Sequence, residues 1–120
     1  MKERKIAVGY CRVSTDEQAN NGLSIEVQET VCIKSMEEDG YEILKVIKDE
    51  GISGGSLNRK GIQEVISLVE QGKVQAVYAI HSDRIARNTL DHLYLRDLLR
   101  KKDVVLKFVY QPMSDDSAAS

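Results

Sequence analysis

Four short apolar runs, separated by stretches of helical periodicity, constrain the fold of this chain more than any other feature. The runs extend over Ile6 to Val13, Tyr41 to Lys48, Val74 to Ile80 and Val104 to Tyr110. Each has the length of a strand that is buried on both faces. Their alternation with helices indicates βαβ units with right-handed crossovers. The sequence therefore predicts an α/β fold, a mostly parallel central sheet with helices on both faces.

Three helices are predicted between the strands. They extend over Ile25 to Asp39, from Arg59 or Lys60 to Gln71, and over Asp83 to Lys102. Ser24 is expected to cap the first helix, because its hydroxyl can accept a free N–H group of the first turn. Asp83 is expected to cap the third helix in the same way. Gly40 and Gly72 are expected to end the first two helices.

Length and composition limit the classes of protein that fit. A chain of 120 residues, 42% hydrophobic and 30% charged, has room for one domain with a core. We assign this domain to residues 1–113 and treat 114–120 as a polar tail that leads towards further segments. No apolar stretch is long enough to span a bilayer, and no signal sequence is present, so a cytoplasmic protein is expected. Cys11 and Cys32 are expected to be reduced core thiols.

Tyr10, Arg12 and Ser14 stand at alternate positions where the first apolar run ends. Because side chains alternate along a strand, these three are expected to leave it on one side. A hydroxyl beside a guanidinium is poorly equipped to attack a carbonyl, because that attack requires a general base. It is well suited to a phosphodiester, where charge on the phosphoryl oxygens must be stabilised.

Further polar residues follow the second and third strands, and the carboxyl ends of parallel strands meet at one edge of a sheet. The arginines expected there are Arg12, Arg59, Arg84 and Arg87. Arg84 and Arg87 are expected to share a helix face with Asp91. Guanidinium groups bind phosphate oxygens in pairs, so this cluster indicates a phosphate site. Because the net charge of the chain is −2, any contact with nucleic acid is expected to be made through a local cluster of arginines.

Several of these residues have simpler interpretations. Ser14 precedes Glu17 at the spacing of a capping box, so its hydroxyl, taken alone, is better explained by a helix cap than by a nucleophile. The segment from Gly51 to Gly55 matches neither a P-loop nor a dinucleotide-binding turn. A non-enzymatic phosphate- or nucleotide-binding module of flavodoxin-like type is one alternative to phosphoryl transfer, but Arg12 to Thr15 occupy the place where such a module carries a glycine-rich turn. A serine phosphatase is another, although it would need a metal or an acid for the leaving group.

Taken together, the segments resemble the catalytic domain of the serine site-specific recombinases, which include resolvases, invertases and phage-type integrases. The matching segments are Tyr10 to Thr15, Gln18, Gln28, Gly51 to Gly54 with Arg59, and Asp83 to Arg87. Their order and spacing agree with the family over nearly the whole chain.

The resemblance implies a role for each matching residue. Ser14 corresponds to the nucleophile that joins the 5′ phosphate of cleaved DNA. The residues that bind the scissile phosphate correspond to Arg12, Arg84 and Arg87, with Arg59 as a further arginine. Supporting positions correspond to Tyr10, Gln18, Gln28 and Asp83. Asp49 and Glu50 compete for an acidic position, and Asp49 is favoured.

The resemblance also implies partners. The substrate would be double-stranded DNA attachment sites, bound by a dimer at each site and joined by a tetramer in synapsis. Two transesterifications conserve bond energy, so no cofactor and no metal ion are expected. Residues 19–23 lengthen the segment after Ser14, as in the large phage- or transposon-derived branch. A dimerising helix and DNA-binding domains would follow this chain, so residues 1–120 alone are expected to be inactive and monomeric or weakly dimeric.

Overall fold

The computed structural model describes residues 5–13, 24–51 and 57–110, and confirms the α/β fold. The strands are β1 (Ile6–Val13), β2 (Glu42–Glu50), β3 (Ala76–Ala79) and β4 (Val105–Phe108). The helices are α1 (Ile25–Glu38), α2 (Lys60–Glu70), α3 (Ser82–Ile85) and α4 (Thr89–Lys101).

The four strands form one sheet in the order β2-β1-β3-β4, and all of their pairings are parallel. β1 pairs with β2 along its whole length, from Ile6 to Val13. It pairs with β3 only from Ala7 to Gly9. The carboxyl half of β1 therefore extends past β3, and other groups must satisfy its backbone on that side.

Helices cover both faces of the sheet, so each face has its own buried cluster. On one face, Cys32 and Met36 of α1 pack with Ala7 of β1 and Tyr78 of β3. On the other face, apolar residues of α2 and α4 pack against the sheet, among them Val65, Val69, Leu95 and Leu99 with Val8 and Val77.

The two cysteines are buried free thiols, as predicted. A hydrogen bond with Cys32, together with burial, raises the pKa of the Cys11 thiol. The Cys11 thiol is therefore a protonated core group near neutral pH.

Most helix ends follow the local signals of the sequence. The Ser24 hydroxyl accepts the Val27 N–H at 3.2 Å and caps α1, as predicted. Gly40 and Gly72 follow α1 and α2 with φ of 84° and 72°. These left-handed conformations are costly for residues with a side chain, and they turn the chain out of each helix.

The prediction of one continuous helix from Asp83 to Lys102 is wrong. Two helices replace it, and the chain between them is extended at Ala86 and Asn88. Asn88 begins α4 by accepting the Asp91 N–H at 2.8 Å, while its amide donates to the Asp91 carboxylate. A side chain that caps locally in this way competes with continuation of the helix.

The break changes two further expectations. Asp83 is not a helix cap, because α3 begins at Ser82 after His81 and Asp83 lies within its first turn. Arg84 and Arg87 do not share a helix face with Asp91, because Arg84 is buried in α3 and Arg87 lies exposed in the break. Among the described residues, no helix is long and apolar enough to cross a membrane.

Candidate active site

The backbone of Arg12, near the end of β1, is held by a side-chain amide rather than by a third strand. Gln28 of α1 accepts the Arg12 N–H at 3.1 Å and donates its own amide N–H to the Arg12 carbonyl at 3.0 Å. The Gln28 side chain is fully buried. It therefore pairs with β1 where the sheet does not, and fixes the direction in which Arg12 leaves the strand.

Arg12 and Arg84 join β1 to α3 by reciprocal hydrogen bonds. The Arg12 guanidinium donates through Nε to the Arg84 carbonyl at 3.1 Å and through Nη2 to the Asp83 carbonyl at 2.9 Å. The Arg84 guanidinium donates through Nη1 to the Arg12 carbonyl at 2.8 Å. Both side chains are buried. The two arginines therefore lie together at the carboxyl end of β1.

Arg59 reaches the same point from the start of α2. Its Nη1 donates to the Tyr10 hydroxyl at 2.7 Å and to the Arg84 carbonyl at 3.3 Å, and its Nη2 donates to the Ile85 carbonyl. Together with Arg12 it thus binds three consecutive carbonyls of α3. Carbonyls in the last turn of a helix lack partners within the helix. Two guanidiniums satisfy them here and stabilise the end of α3 before the break.

Asp49, at the carboxyl end of β2, links the Tyr10 hydroxyl to α2. Its carboxylate accepts the Tyr10 O–H at 2.6 Å, the Gly61 N–H at 2.8 Å and the Ile62 N–H at 3.1 Å. The Arg59 side chain makes no capping bond to α2, so Asp49 caps this helix from a neighbouring strand. Of the two acidic candidates, Asp49 is buried in the cluster and Glu50 is exposed.

Tyr10 is held between a carboxylate and a guanidinium. Burial raises the pKa of its hydroxyl far above the ordinary value, and the hydrogen bond to Asp49 raises it further. The hydroxyl is therefore protonated, donating to Asp49 and accepting from Arg59. Its ring also lies 5.8 Å from the Arg59 guanidinium.

The structure brings together seven of the predicted site residues at the carboxyl edge of the sheet. They are Tyr10, Arg12, Gln28, Asp49, Arg59, Asp83 and Arg84. Asp83 contributes its carbonyl, while its half-exposed carboxylate lies 3.5 Å from the Arg84 guanidinium. Arg87 is exposed nearby in the chain, and Ser14 and Gln18 lie outside the described residues.

The cluster carries an excess of positive charge. In the described part of the chain, the buried charged side chains are Arg12, Arg59, Arg84 and Asp49. Three guanidiniums thus accompany one buried carboxylate. Buried charge is costly unless it is paired, so such a site favours an anion with several oxygens. Guanidiniums cannot ligate a metal ion, and residues 5–13, 24–51 and 57–110 contain no metal-binding group of three or more His, Cys, Asp or Glu.

Gly61 is a site residue that the sequence did not indicate. A methyl group on its Cα would lie 2.6, 2.7 and 2.8 Å from Oδ2, Cγ and Oδ1 of Asp49. Non-bonded heavy atoms of this kind ordinarily lie at least about 3.5 Å apart, so a methyl group does not fit beside Asp49. The one available signal was a glycine in the first turn of a predicted helix, where glycine is an unfavourable residue.

Comparison with known proteins agrees with this geometry. Residues 7–120 match the family described as "Resolvase, N terminal domain". The chain therefore belongs to the resolvase family of DNA recombinases. It is 37% identical over 100 residues to a putative DNA recombinase of Bacillus subtilis (strain 168), covering 83% of this chain and 19% of the relative. It is 32% identical over 108 residues to the R46 site-specific recombinase of Escherichia coli, covering 90% and 50%.

Solved structures agree as well. The N-terminal catalytic domain of TP901-1 integrase superposes with a TM-score of 0.81 at 32% identity, covering 88% of this chain and 78% of that one. The C-terminal catalytic domain of ISC1926 TnpA, an IS607-like serine recombinase, superposes with a TM-score of 0.76 at 27% identity, covering 95% and 77%. The chain thus spans most of a catalytic domain, but at most about half the length of the two relatives above.

Proposed function

We propose that this chain is the catalytic part of a longer serine recombinase that cleaves and rejoins DNA through a bond between Ser14 and a 5′ phosphate. One observation carries the proposal: three buried arginines converge where β1 ends, and Ser14 is the next residue after Val13. Family membership and site-specific recombination in the named relative support the same chemistry.

In the proposed reaction, the Ser14 hydroxyl attacks the scissile phosphorus. The bond from Oγ to phosphorus forms as the bond to the 3′ oxygen breaks. The Ser14 hydroxyl gives up its proton and the departing 3′ oxygen takes one up, so the exchange is balanced. Rejoining is the reverse exchange with the 3′ hydroxyl of another strand. Arg12, Arg84 and Arg87 would stabilise negative charge on the phosphoryl oxygens in both steps.

The remaining cluster would orient these groups. Gln28 holds the backbone of Arg12, and Asp49 holds Tyr10, which in turn holds Arg59. Gln18 and Asp83 are proposed to support the site as well. Because Arg12 and Arg59 bind carbonyls of α3 in this structure, phosphate would have to share or replace those bonds. No cofactor and no metal ion take part in the proposed reaction.

The experiment is covalent capture on a nicked DNA substrate by the longer protein. Wild-type protein is expected to give a protein–DNA adduct that survives denaturation, and Ser14→Ala is expected to give none while its DNA affinity stays near wild type. Ser24→Ala is the matched control, since this serine caps α1 and should lower stability by about 1 kcal/mol without affecting capture. An adduct formed by Ser14→Ala would refute the proposal.

Partners and location follow from the same proposal. Double-stranded DNA attachment sites are the proposed substrates. A dimer would bind each site, and two dimers would form a tetramer in synapsis. The reaction would take place in the cytoplasm. Site recognition would lie in segments beyond residue 120, with residues 1–113 forming the catalytic domain and 114–120 a polar tail. Residues 1–120 alone are therefore proposed not to recombine DNA.

A further inference from the structure

Gly61 lies at the junction between the cluster and α2, and we propose that it is a positioning residue for the active site. This inference rests on the proposed function. Gly61 contributes no reactive group and acts through its backbone N–H and the absence of a side chain. Both features allow the Asp49 carboxylate to lie directly on the first turn of α2.

A side chain at position 61 would clash with the Asp49 carboxylate. All three carboxylate atoms of Asp49 would lie within 2.8 Å of a Cβ at position 61. These atoms are not the free end of a flexible side chain, because Asp49 is buried and accepts three hydrogen bonds. An alanine at position 61 must therefore displace either the carboxylate or the start of α2.

A displaced Asp49 carboxylate would also disturb Arg59. Asp49 accepts the proton of the Tyr10 hydroxyl, and the oxygen of that hydroxyl accepts from Arg59. If the carboxylate moves, Tyr10 loses the bond that orients its hydroxyl, and Arg59 loses one of its fixed acceptors. Position 61 thus influences the Arg59 guanidinium through the Asp49 carboxylate and two successive hydrogen bonds.

A matched control lies at the other end of the same helix. Gly72 follows α2 with φ of 72°, and among the described residues no heavy atom beyond its immediate chain neighbours lies within 4 Å of a Cβ placed there. Gly72→Ala strains the backbone, because alanine rarely adopts this conformation, but it leaves Asp49 untouched. The two glycine-to-alanine changes therefore both perturb α2, and only the change at 61 reaches the site.

The functional test compares cleavage by the longer protein carrying either change, below the unfolding temperature of both variants. Gly61→Ala is expected to lower the cleavage rate about 100-fold, the loss typical of a misplacement near 1 Å, with DNA affinity unchanged. Gly72→Ala is expected to cleave at nearly the wild-type rate. Equal cleavage by Gly61→Ala and wild type, or equal losses in the two variants, would overturn the proposal.

A spectroscopic readout on residues 1–120 separates this proposal from the proposed function. The ¹³Cζ resonance of Tyr10, assigned with Tyr10→Phe in protein labelled at its five tyrosines, reports the hydrogen bond to Asp49. The resonance is expected to shift in Gly61→Ala and to stay in place in Gly72→Ala. An unchanged Tyr10 resonance in Gly61→Ala would overturn the positioning role. Failure of the longer wild-type protein to form a covalent adduct with DNA would instead overturn the proposed function.

The double variant Asp49→Ala/Gly61→Ala covers a failure of Gly61→Ala to fold. Removing the carboxylate removes the clash. In an Asp49→Ala background, the change at 61 is therefore expected to leave the unfolding midpoint nearly unchanged and to alter the cleavage rate by less than about twofold. A double variant that folds where Gly61→Ala does not would support the proposal. Equal effects of Gly61→Ala in both backgrounds would overturn it.

Discussion

The structure predicts a large loss of stability for the substitution Asp49→Ala. The change removes a carboxylate that is only 3% exposed and that accepts bonds from Tyr10, Gly61 and Ile62. It leaves the Tyr10 hydroxyl and two N–H groups of α2 buried without this acceptor. It also leaves the positive charge of three buried arginines without its buried counterion.

The magnitude follows from these lost contacts. Hydrogen bonds to a charged group contribute about 1.5–3 kcal/mol each, but bonds that share one carboxylate are not additive. Removing one member of a buried charged group typically costs about 3–5 kcal/mol. We therefore expect Asp49→Ala to lower the free energy of unfolding by about 3–5 kcal/mol, a large part of the 5–15 kcal/mol typical of a domain.

Urea unfolding of residues 1–120, followed by circular dichroism, measures this loss. With a slope of about 1–3 kcal/mol per M, a loss near 4 kcal/mol moves the midpoint by about 1.3–4 M. Asp97→Ala is the matched control, because Asp97 lies on the surface of α4 and pairs with Arg100 and Lys101. It should leave the urea midpoint nearly unchanged, because exposed ion pairs contribute little to stability. A cost below about 1 kcal/mol for Asp49→Ala would refute the reasoning.

Three further predictions concern the arginines, pH and DNA. Lysine at 12, 84 or 87 keeps the charge but loses the planar donors, so cleavage should fall about 100- to 1000-fold with little change in DNA affinity, and wild-type rates would exclude a catalytic role. Hydrogen bonds from Lys107 and, second, from Tyr78 lower the pKa of Asp39. These bonds should therefore stabilise the folded protein above about pH 4, and this stabilisation should be lost as the pH falls further. Urea midpoints from about pH 7 to about pH 2 should thus fall less in Asp39→Asn than in wild type. Residues 1–120 alone should bind duplex DNA weakly and without site preference in a titration against a scrambled sequence, and a submicromolar preference would contradict this.

The sheet and most helix ends were predictable because their signals are local. Apolar runs mark the strands, and Ser24, Gly40 and Gly72 end or begin helices through their own hydroxyl or backbone conformation. The burial of Asp49 also follows a local rule, since side chains two apart on a strand share a face and Ile47 is buried.

The break after α3 was not predictable in this way. Arg12 and Arg59 bind the carbonyls at the end of α3 from 72 and 25 or 26 positions away in the chain. The apolar residues of α4 recur at helical spacing, and periodicity alone does not mark a break between them and Asp83. It therefore favours one helix. The role of Gly61 was hidden for the same reason, because the carboxylate that requires a glycine there comes from β2.

The proposed bond between Ser14 and DNA is tested most directly by identifying the residue that is linked in the adduct. The adduct of the longer wild-type protein with nicked DNA is digested with protease and nuclease, and the linked peptide is sequenced by mass spectrometry. The expected product is a phosphate ester on Ser14 that carries the 5′ end of the DNA, with a free 3′ hydroxyl on the other strand end. Attachment to any other residue, or through a 3′ phosphate, would contradict it.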